Sequence, residues 1–153
     1  SVSEVQKVLE ICKTVREELQ AEQIPYAEKM ELGIMIETPA AAIISDQLAP
    51  LVDFFSVGTN DLTQYTLACD RQNPDIESFC DTHHEAILRL IAWSAKNAHE
   101  HGAWIGICGE LAADTFLTER FLRMGIDELS VSPTFVLKVR DAVRKVDLRT
   151  KEN

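Results

Sequence analysis

Four short apolar runs in this chain each end in residues able to do chemistry. Leu32-Gly33-Ile34-Met35-Ile36 runs into Glu37, and Phe54-Phe55-Ser56-Val57 leads through Gly58-Thr59 to Asn60 and Asp61. Trp104-Ile105-Gly106-Ile107 ends at Cys108-Gly109-Glu110, and Glu128-Leu129-Ser130-Val131 ends near Ser132. In parallel α/β folds the carboxyl ends of the strands face the ligand, because loops and helix N-termini converge there. Glu37 and Asp61 together suit a Mg²⁺ ion, which takes one or two protein carboxylates and leaves its other positions to water and substrate oxygens. Without a cation, two carboxylates crowded at one rim repel each other. Each acid also has a plainer reading. Glu37 can favour the N-terminus of a helix at Pro39 through the helix dipole, and Asp61 can be the N-cap of a stretch beginning at Leu62.

The elements that must position these residues follow from the hydrophobic pattern. Val5, Val8, Leu9, Cys12, Val15 and Leu19 mark one face of an amphipathic helix. Ser3 and Gln6 offer it a capping box, and Pro25 ends it. Thr38-Pro39 reads as N-cap and first residue of a helix running through Ala40 to about Leu48. A short helix is expected near Leu62 to Leu67, and a polar loop from Asp70 to Asp75. A long helix from about Thr82 to His101 is closed by Gly102. Another helix spans about Thr115 to Met124, and Ser132-Pro133 opens a last one that runs to about Val146.

One helix followed by four strand–helix units, with strands apolar on both faces, means a parallel α/β sheet. From spacing alone, a doubly wound sheet and a segment of a barrel fit equally well. A closed (β/α)8 barrel needs eight strands and typically ~250 residues, so a chain of 153 residues with four units is at most half of one.

Bulk composition narrows the function. The excess of 25 acidic over 15 Lys and Arg residues gives a net charge of −10, which disfavours nucleic-acid binding, since that needs a dense basic face. An anionic substrate must therefore be held by local cations or a metal. No apolar run approaches the ~18 residues that span a bilayer, and the start, Ser1-Val2-Ser3-Glu4, lacks the features of a secretion signal. The expectation is a soluble, cytoplasmic protein. Cys12, Cys69, Cys80 and Cys108 form no C-x-x-C pair, so a structural zinc site is not expected. Cys12, Cys69 and Cys80 are read as reduced structural thiols. His83, His84, His99 and His101 sit near the ends of one helix, and Trp93 and Trp104 are read as core, with lining the mouth of the site as the alternative for Trp104.

Three motifs in this order carry a resemblance. Gly33-Ile34-Met35-Ile36-Glu37-Thr38-Pro39-Ala40-Ala41-Ala42 resembles the metal-binding strand of the phosphoenolpyruvate-utilising family. Phe54 to Tyr65, with its GTNDLTQ run, is similar to that family's signature, and Gly106-Ile107-Cys108-Gly109-Glu110 resembles its catalytic-cysteine loop. The short link Ala68 to Pro74 fits the Enzyme I branch, from the bacterial sugar phosphotransferase system, better than pyruvate phosphate dikinase or phosphoenolpyruvate synthase. The match covers nearly the whole chain.

The resemblance implies a fold, residues 1–148 as the C-terminal half of a phosphoenolpyruvate-binding (β/α) barrel, with a charged tail at 149–153. It implies that Glu37 and Asp61 bind Mg²⁺, that Asn60 and Asp61 contact the substrate, and that Arg71 clamps its phosphate, for which a guanidinium fork is suited. Cys108 would protonate the enolate left after phosphoryl loss, giving pyruvate. A thiol is largely protonated at neutral pH yet can give its proton to a carbanion. The plainer readings are a solvated loop arginine and a small buried hydrophobe. The Ser130 to Pro133 segment resembles the last barrel strand.

The family's phosphohistidine domain and the first half of its barrel have no counterpart here. The implied activity, phosphotransfer from phosphoenolpyruvate to a histidine and on to the phosphocarrier protein HPr, thus belongs to a longer parent, and the isolated chain is expected to be inactive. A citrate-lyase-like aldolase, which also binds Mg²⁺ through a glutamate and an aspartate, is the alternative that Cys108 and the GTNDLTQ run argue against. Open strand edges and an apolar inner face lead to the expectation of a homodimer.

Overall fold

The computed structural model describes residues 1–149. Of the expected charged tail, all but Arg149 lies outside the described residues. The elements are α1 (Val2–Ala21), β1 (Gly33–Ile36), α2 (Pro39–Ile43), α3 (Ser45–Leu48), β2 (Phe54–Gly58), α4 (Thr59–Leu67), α5 (Glu85–Glu100), β3 (Trp104–Cys108), α6 (Thr118–Arg123), β4 (Glu128–Leu129) and α7 (Val136–Lys145). Short 3-10 turns fill Ala49–Leu51, Pro74–Phe79, Glu110–Ala113 and Pro133–Phe135.

The four strands form one parallel sheet in the order β1-β2-β3-β4. That order decides between the two architectures open at the level of sequence. A doubly wound sheet reverses its strand order at a switch point and carries helices on both faces, whereas strands laid down strictly in chain order are those of a barrel wall. The sheet is an open arc and does not close.

Side-chain alternation shows why the helices cover one face only. Ile36, Phe55, Val57, Ile105 and Ile107 are fully buried and share a core with Leu88, Ile91 and Ala95 of α5 and with Ala42 and Leu48 of α2 and α3. The intervening residues face the concave side. There Phe54 stacks on Trp104, with ring centroids 4.4 Å apart, and Met35 is half exposed. Gly33 pairs with Phe54 in register, and a Cβ at Gly33 would run into that ring.

Local chemistry accounts for most of the element boundaries, and several differ from expectation. Thr38 caps α2 as expected, its Oγ1 accepting from the Ala41 amide at 3.2 Å. The helix then breaks at Ile44 instead of continuing to Leu48. The capping box of α1 is Ser1 with Glu4, not Ser3 with Gln6, because the helix starts at Val2 and Glu4 falls at the third helical position. No residue of α1 is buried, and Val8 and Val15 are exposed. Its apolar face is only half covered. α5 begins at Glu85, three residues after the expected start, because Asp81 Oδ1 accepts from the His83 amide and holds a turn there. His84 Nδ1 accepts from the Ala86 amide and caps the helix. α4 follows β2 without a connecting turn. α6 is shorter than expected, and β4 spans only Glu128 and Leu129.

Two side-chain expectations are also corrected. Trp93 is not core but lies on the outer surface of α5, with the Lys96 ammonium 5.5 Å from its ring centroid. Trp104 is half buried on the concave face. Cys69 and Cys80 are joined in a disulfide, not reduced, with their Cα atoms 5.9 Å apart. The turn and 3-10 segment between them fold back on themselves, a closure that no spacing motif announces. Cys12 and Cys108 are free.

Iodoacetamide should therefore label Cys12 and Cys108 in the oxidised chain, and all four cysteines only after reduction. Replacing Cys69 and Cys80 by Ser should cost about 2–3 kcal/mol in urea unfolding, the loop-closure entropy of so short a ring. Labelling of Cys69 or Cys80 without reductant would contradict the pairing.

Candidate functional site

The site is built at the carboxyl ends of β1, β2 and β3. Ile36 pairs with Val57, so the next residue, Glu37, comes alongside Gly58. Gly58 in turn pairs with Cys108. The glycine is what makes room. A Cβ at Gly58 would lie 2.6 Å from Glu37 Oε1, so the Glu37 carboxylate occupies the space above it. With parallel strands about 4.8 Å apart, Glu37 and Cys108 stand on either side of Gly58, with backbones roughly 10 Å apart.

Gly58 is also the N-cap of α4, whose first turn is Thr59, Asn60 and Asp61. The free amides and the dipole at a helix start favour an anion, and Asp61 adds a carboxylate one turn from the glycine that Glu37 overlies. Both carboxylates are half buried. Among the described residues no side-chain hydrogen bond or ion pair to either is found. Asp61 does not act as an N-cap by side-chain hydrogen bond, since the cap residue of α4 is Gly58.

Cys108 is held by its neighbours on β2. Its Sγ lies 3.4 Å from Ser56 Oγ, which donates to it, and 3.4 Å from the Val57 carbonyl oxygen, to which the thiol donates. The thiol is half buried. Two further bonds fasten the loop after it to the start of α4. Thr59 Oγ1 donates to the Cys108 carbonyl at 3.1 Å, and the Glu110 amide donates to Asn60 Oδ1 at 3.3 Å. Gly109 lies between them at φ +96, where a Cβ would come within 2.7 Å of Thr59 Oγ1. Only glycine fits there.

Two clefts flank this seam, and Asn60 and Glu110 line both. One, of about 210 Å³, also holds Thr63, Gln64, Arg71 and Thr82. The other, of about 370 Å³, is formed with Gly109, Ala113, Ser130, Ser132 and Phe135. Arg71 is placed by Gln64, whose Oε1 accepts from its amide at 3.2 Å, and by the Cys69–Cys80 bridge at the base of its loop. The structure thus brings Asn60 and Arg71 to one cleft, and Glu37, the α4 N-terminus and Cys108 to one rim. Glu37, Asp61 and Cys108 line neither cleft. Among the described residues no group of three or more His, Cys, Asp or Glu is placed to hold a metal. A pair of unpartnered carboxylates is nevertheless the donor set that Mg²⁺ accepts when a substrate completes its shell.

Sequence reasoning did not identify the parts of Ser56, Thr59 and Gln64. Thr59 and Gln64 lie inside the GTNDLTQ run, which was the available signal.

The model of a family described as PEP-utilising enzyme, PEP-binding domain, matches residues 1–148. The chain belongs to this family. It is 44% identical over 151 residues to a phosphoenolpyruvate-protein phosphotransferase of Lactococcus lactis subsp. cremoris, covering 99% of this chain and 26% of that protein. It is 42% identical over 146 residues to the protein of that name from Priestia megaterium, covering 95% of this chain and 26% of the relative. A multiphosphoryl transfer protein of Xanthomonas campestris is 45% identical over 144 residues, which are 94% of this chain and 16% of that one. The chain spans about a quarter of the length of the phosphotransferases it matches.

Gly109→Ala should destabilise the chain by about 1–3 kcal/mol, the usual cost of a forced backbone conformation. Gly102→Ala provides the control, with a similar φ of +78 but nothing within 4 Å of the new Cβ. Urea unfolding should show the larger loss at Gly109; equal losses would contradict the close approach to Thr59.

Proposed function

We propose that the longer protein to which this chain belongs takes the phosphoryl group from phosphoenolpyruvate and places it on a histidine of another of its domains, releasing pyruvate. The observation that carries this reading is the single rim formed by Glu37, the α4 N-terminus and Cys108, sewn together by Thr59, Asn60 and Gly109. The relatives that are phosphoenolpyruvate-protein phosphotransferases support the same activity.

The roles follow from position. Glu37 and Asp61 would hold Mg²⁺, which supplies charge neutralisation on the substrate's carboxylate and phosphoryl oxygens. The helix start and Asn60 orient the phosphate, and Arg71 clamps it from the neighbouring cleft. When the phosphoryl group leaves, the electron pair of the broken P–O bond stays on the enolate oxygen. The enolate C=C pair then forms a C–H bond with the proton of Cys108, and the S–H pair remains on sulfur. A thiol two strands from Glu37 is well placed for that step, and a citrate-lyase-like aldolase has no use for it.

From the histidine, the phosphoryl group would pass to HPr. Among the described residues no helix is long and apolar enough to cross a membrane, in keeping with a cytoplasmic phosphotransferase. The isolated chain lacks the acceptor histidine and half of the barrel wall, so it should be inactive. Its open β1 and β4 edges favour a homodimer. Light scattering should give twice the chain mass, and a monomer would count against that pairing.

Full-length parent incubated with ³²P-labelled phosphoenolpyruvate and Mg²⁺ should carry acid-labile, base-stable label on one histidine. Glu37→Gln with Asp61→Asn should lower the labelling rate by about 100-fold or more, the scale of losing a transition-state charge contact. An unlabelled histidine in the parent, or normal labelling in the double variant, would overturn the proposal.

A further inference from the structure

We propose that Ser56 is a positioning residue for Cys108: its hydroxyl aims the sulfur and stabilises the negative charge that proton donation leaves on it. The inference deepens the proposed phosphotransferase reading and rests on it for the identity of the reaction, although the contact itself does not.

The geometry begins with the register. Ser56 pairs with Gly106 across the parallel β2–β3 ladder, and Cys108 lies two residues beyond Gly106, hence on the same face of the sheet. From there Ser56 Oγ reaches diagonally across the ladder to Cys108 Sγ at 3.4 Å. The row that holds Ser56 also contains Met35 on one side and Glu128 beyond Gly106. Neither is hydrogen-bonded to the serine among the described residues. The Cys108 sulfur is therefore the partner this hydroxyl has.

The chemistry makes the direction of the bond matter. The Val57 carbonyl can only accept, so the thiol donates to it, which leaves the Ser56 hydroxyl as the donor to the sulfur. An acid of this kind is helped by whatever stabilises its conjugate base. When the proton leaves for the enolate carbon, the O–H···S contact becomes a hydrogen bond to an anion, about twice as strong as a neutral one. The Val57 carbonyl offers the thiolate nothing, since it has no donor. Among the described residues, Ser56 is the side chain that hydrogen-bonds the sulfur in both states. Returning the proton from water restores the thiol.

Two measurements test this. In a Cys12→Ser background with the Cys69–Cys80 bridge intact, the pH profile of iodoacetamide alkylation reports Cys108 alone. Ser56→Ala should move its midpoint up by about half a pH unit or more, as expected for losing one modest hydrogen bond, and Ser56→Thr should restore it. In the full-length parent, Ser56→Ala should slow pyruvate release several-fold while leaving the rate of histidine labelling unchanged, because phosphoryl loss precedes protonation. Ser56→Thr should recover the release rate. An unmoved alkylation midpoint, or histidine labelling slowed as much as pyruvate release, would overturn the proposal. If the wild-type parent labels no histidine, the phosphotransferase reading fails, and the alkylation profile still decides whether Ser56 controls the thiol.

Discussion

Parallel strand pairing in strict register sets where Glu37, Gly58 and Cys108 stand. Because Ile36 pairs with Val57 and Gly58 with Cys108, the residues leaving the ends of three successive strands fall in one row, and the middle position of that row is a glycine. That missing side chain is what the neighbouring carboxylate fills. A slip of one residue in either pairing would turn Glu37 or Cys108 to the helix-covered face. There they would displace residues such as Ile36 and Ile107, which are fully buried. The hydrophobic core thus enforces the register, and the register enforces the site.

The same constraint explains how the loops are held. Thr59, Asn60 and Gly109 belong to segments 49 and 50 residues apart, joined by two hydrogen bonds at the ends of adjacent strands. A loop after β3 that was free to move would carry the thiol's backbone with it. Two hydrogen bonds tie it to the first turn of α4. The first turn of α4, the Asn60 side chain and the backbone that carries the Cys108 thiol are therefore joined by one small set of contacts. Arg71, by contrast, reaches its cleft from a loop tied at its base by a disulfide and by Gln64.

Features governed by neighbours in sequence were readable without coordinates. Thr38 caps its helix because proline biases the preceding residue towards extended backbone, where its hydroxyl can accept from a free helix amide, and the four apolar runs mark the four strands, although only the helix-covered face is fully buried. The positions of Glu37 and Cys108 at strand ends, and of Asn60 and Asp61 in the first turn of α4, follow from the same runs. Features created by distant contacts were not. The break at Ile44, the Cys69–Cys80 bridge, the exposed Trp93 and the contact between Ser56 and Cys108, 52 residues apart, all depend on which surfaces meet. Spacing along the chain carries no record of that. The resemblance to a known family supplied Arg71, which no local pattern marked.

The central claim is that Glu37, Asp61 and Cys108 surround one cation-sized space. A trifluoromethyl label on Cys108, in a Cys12→Ser background, can be followed by ¹⁹F NMR while Mn²⁺ is added in place of Mg²⁺. The account predicts saturable paramagnetic broadening of the label, removed by Glu37→Gln with Asp61→Asn. A label that stays sharp, or broadening that survives the double substitution, would contradict it.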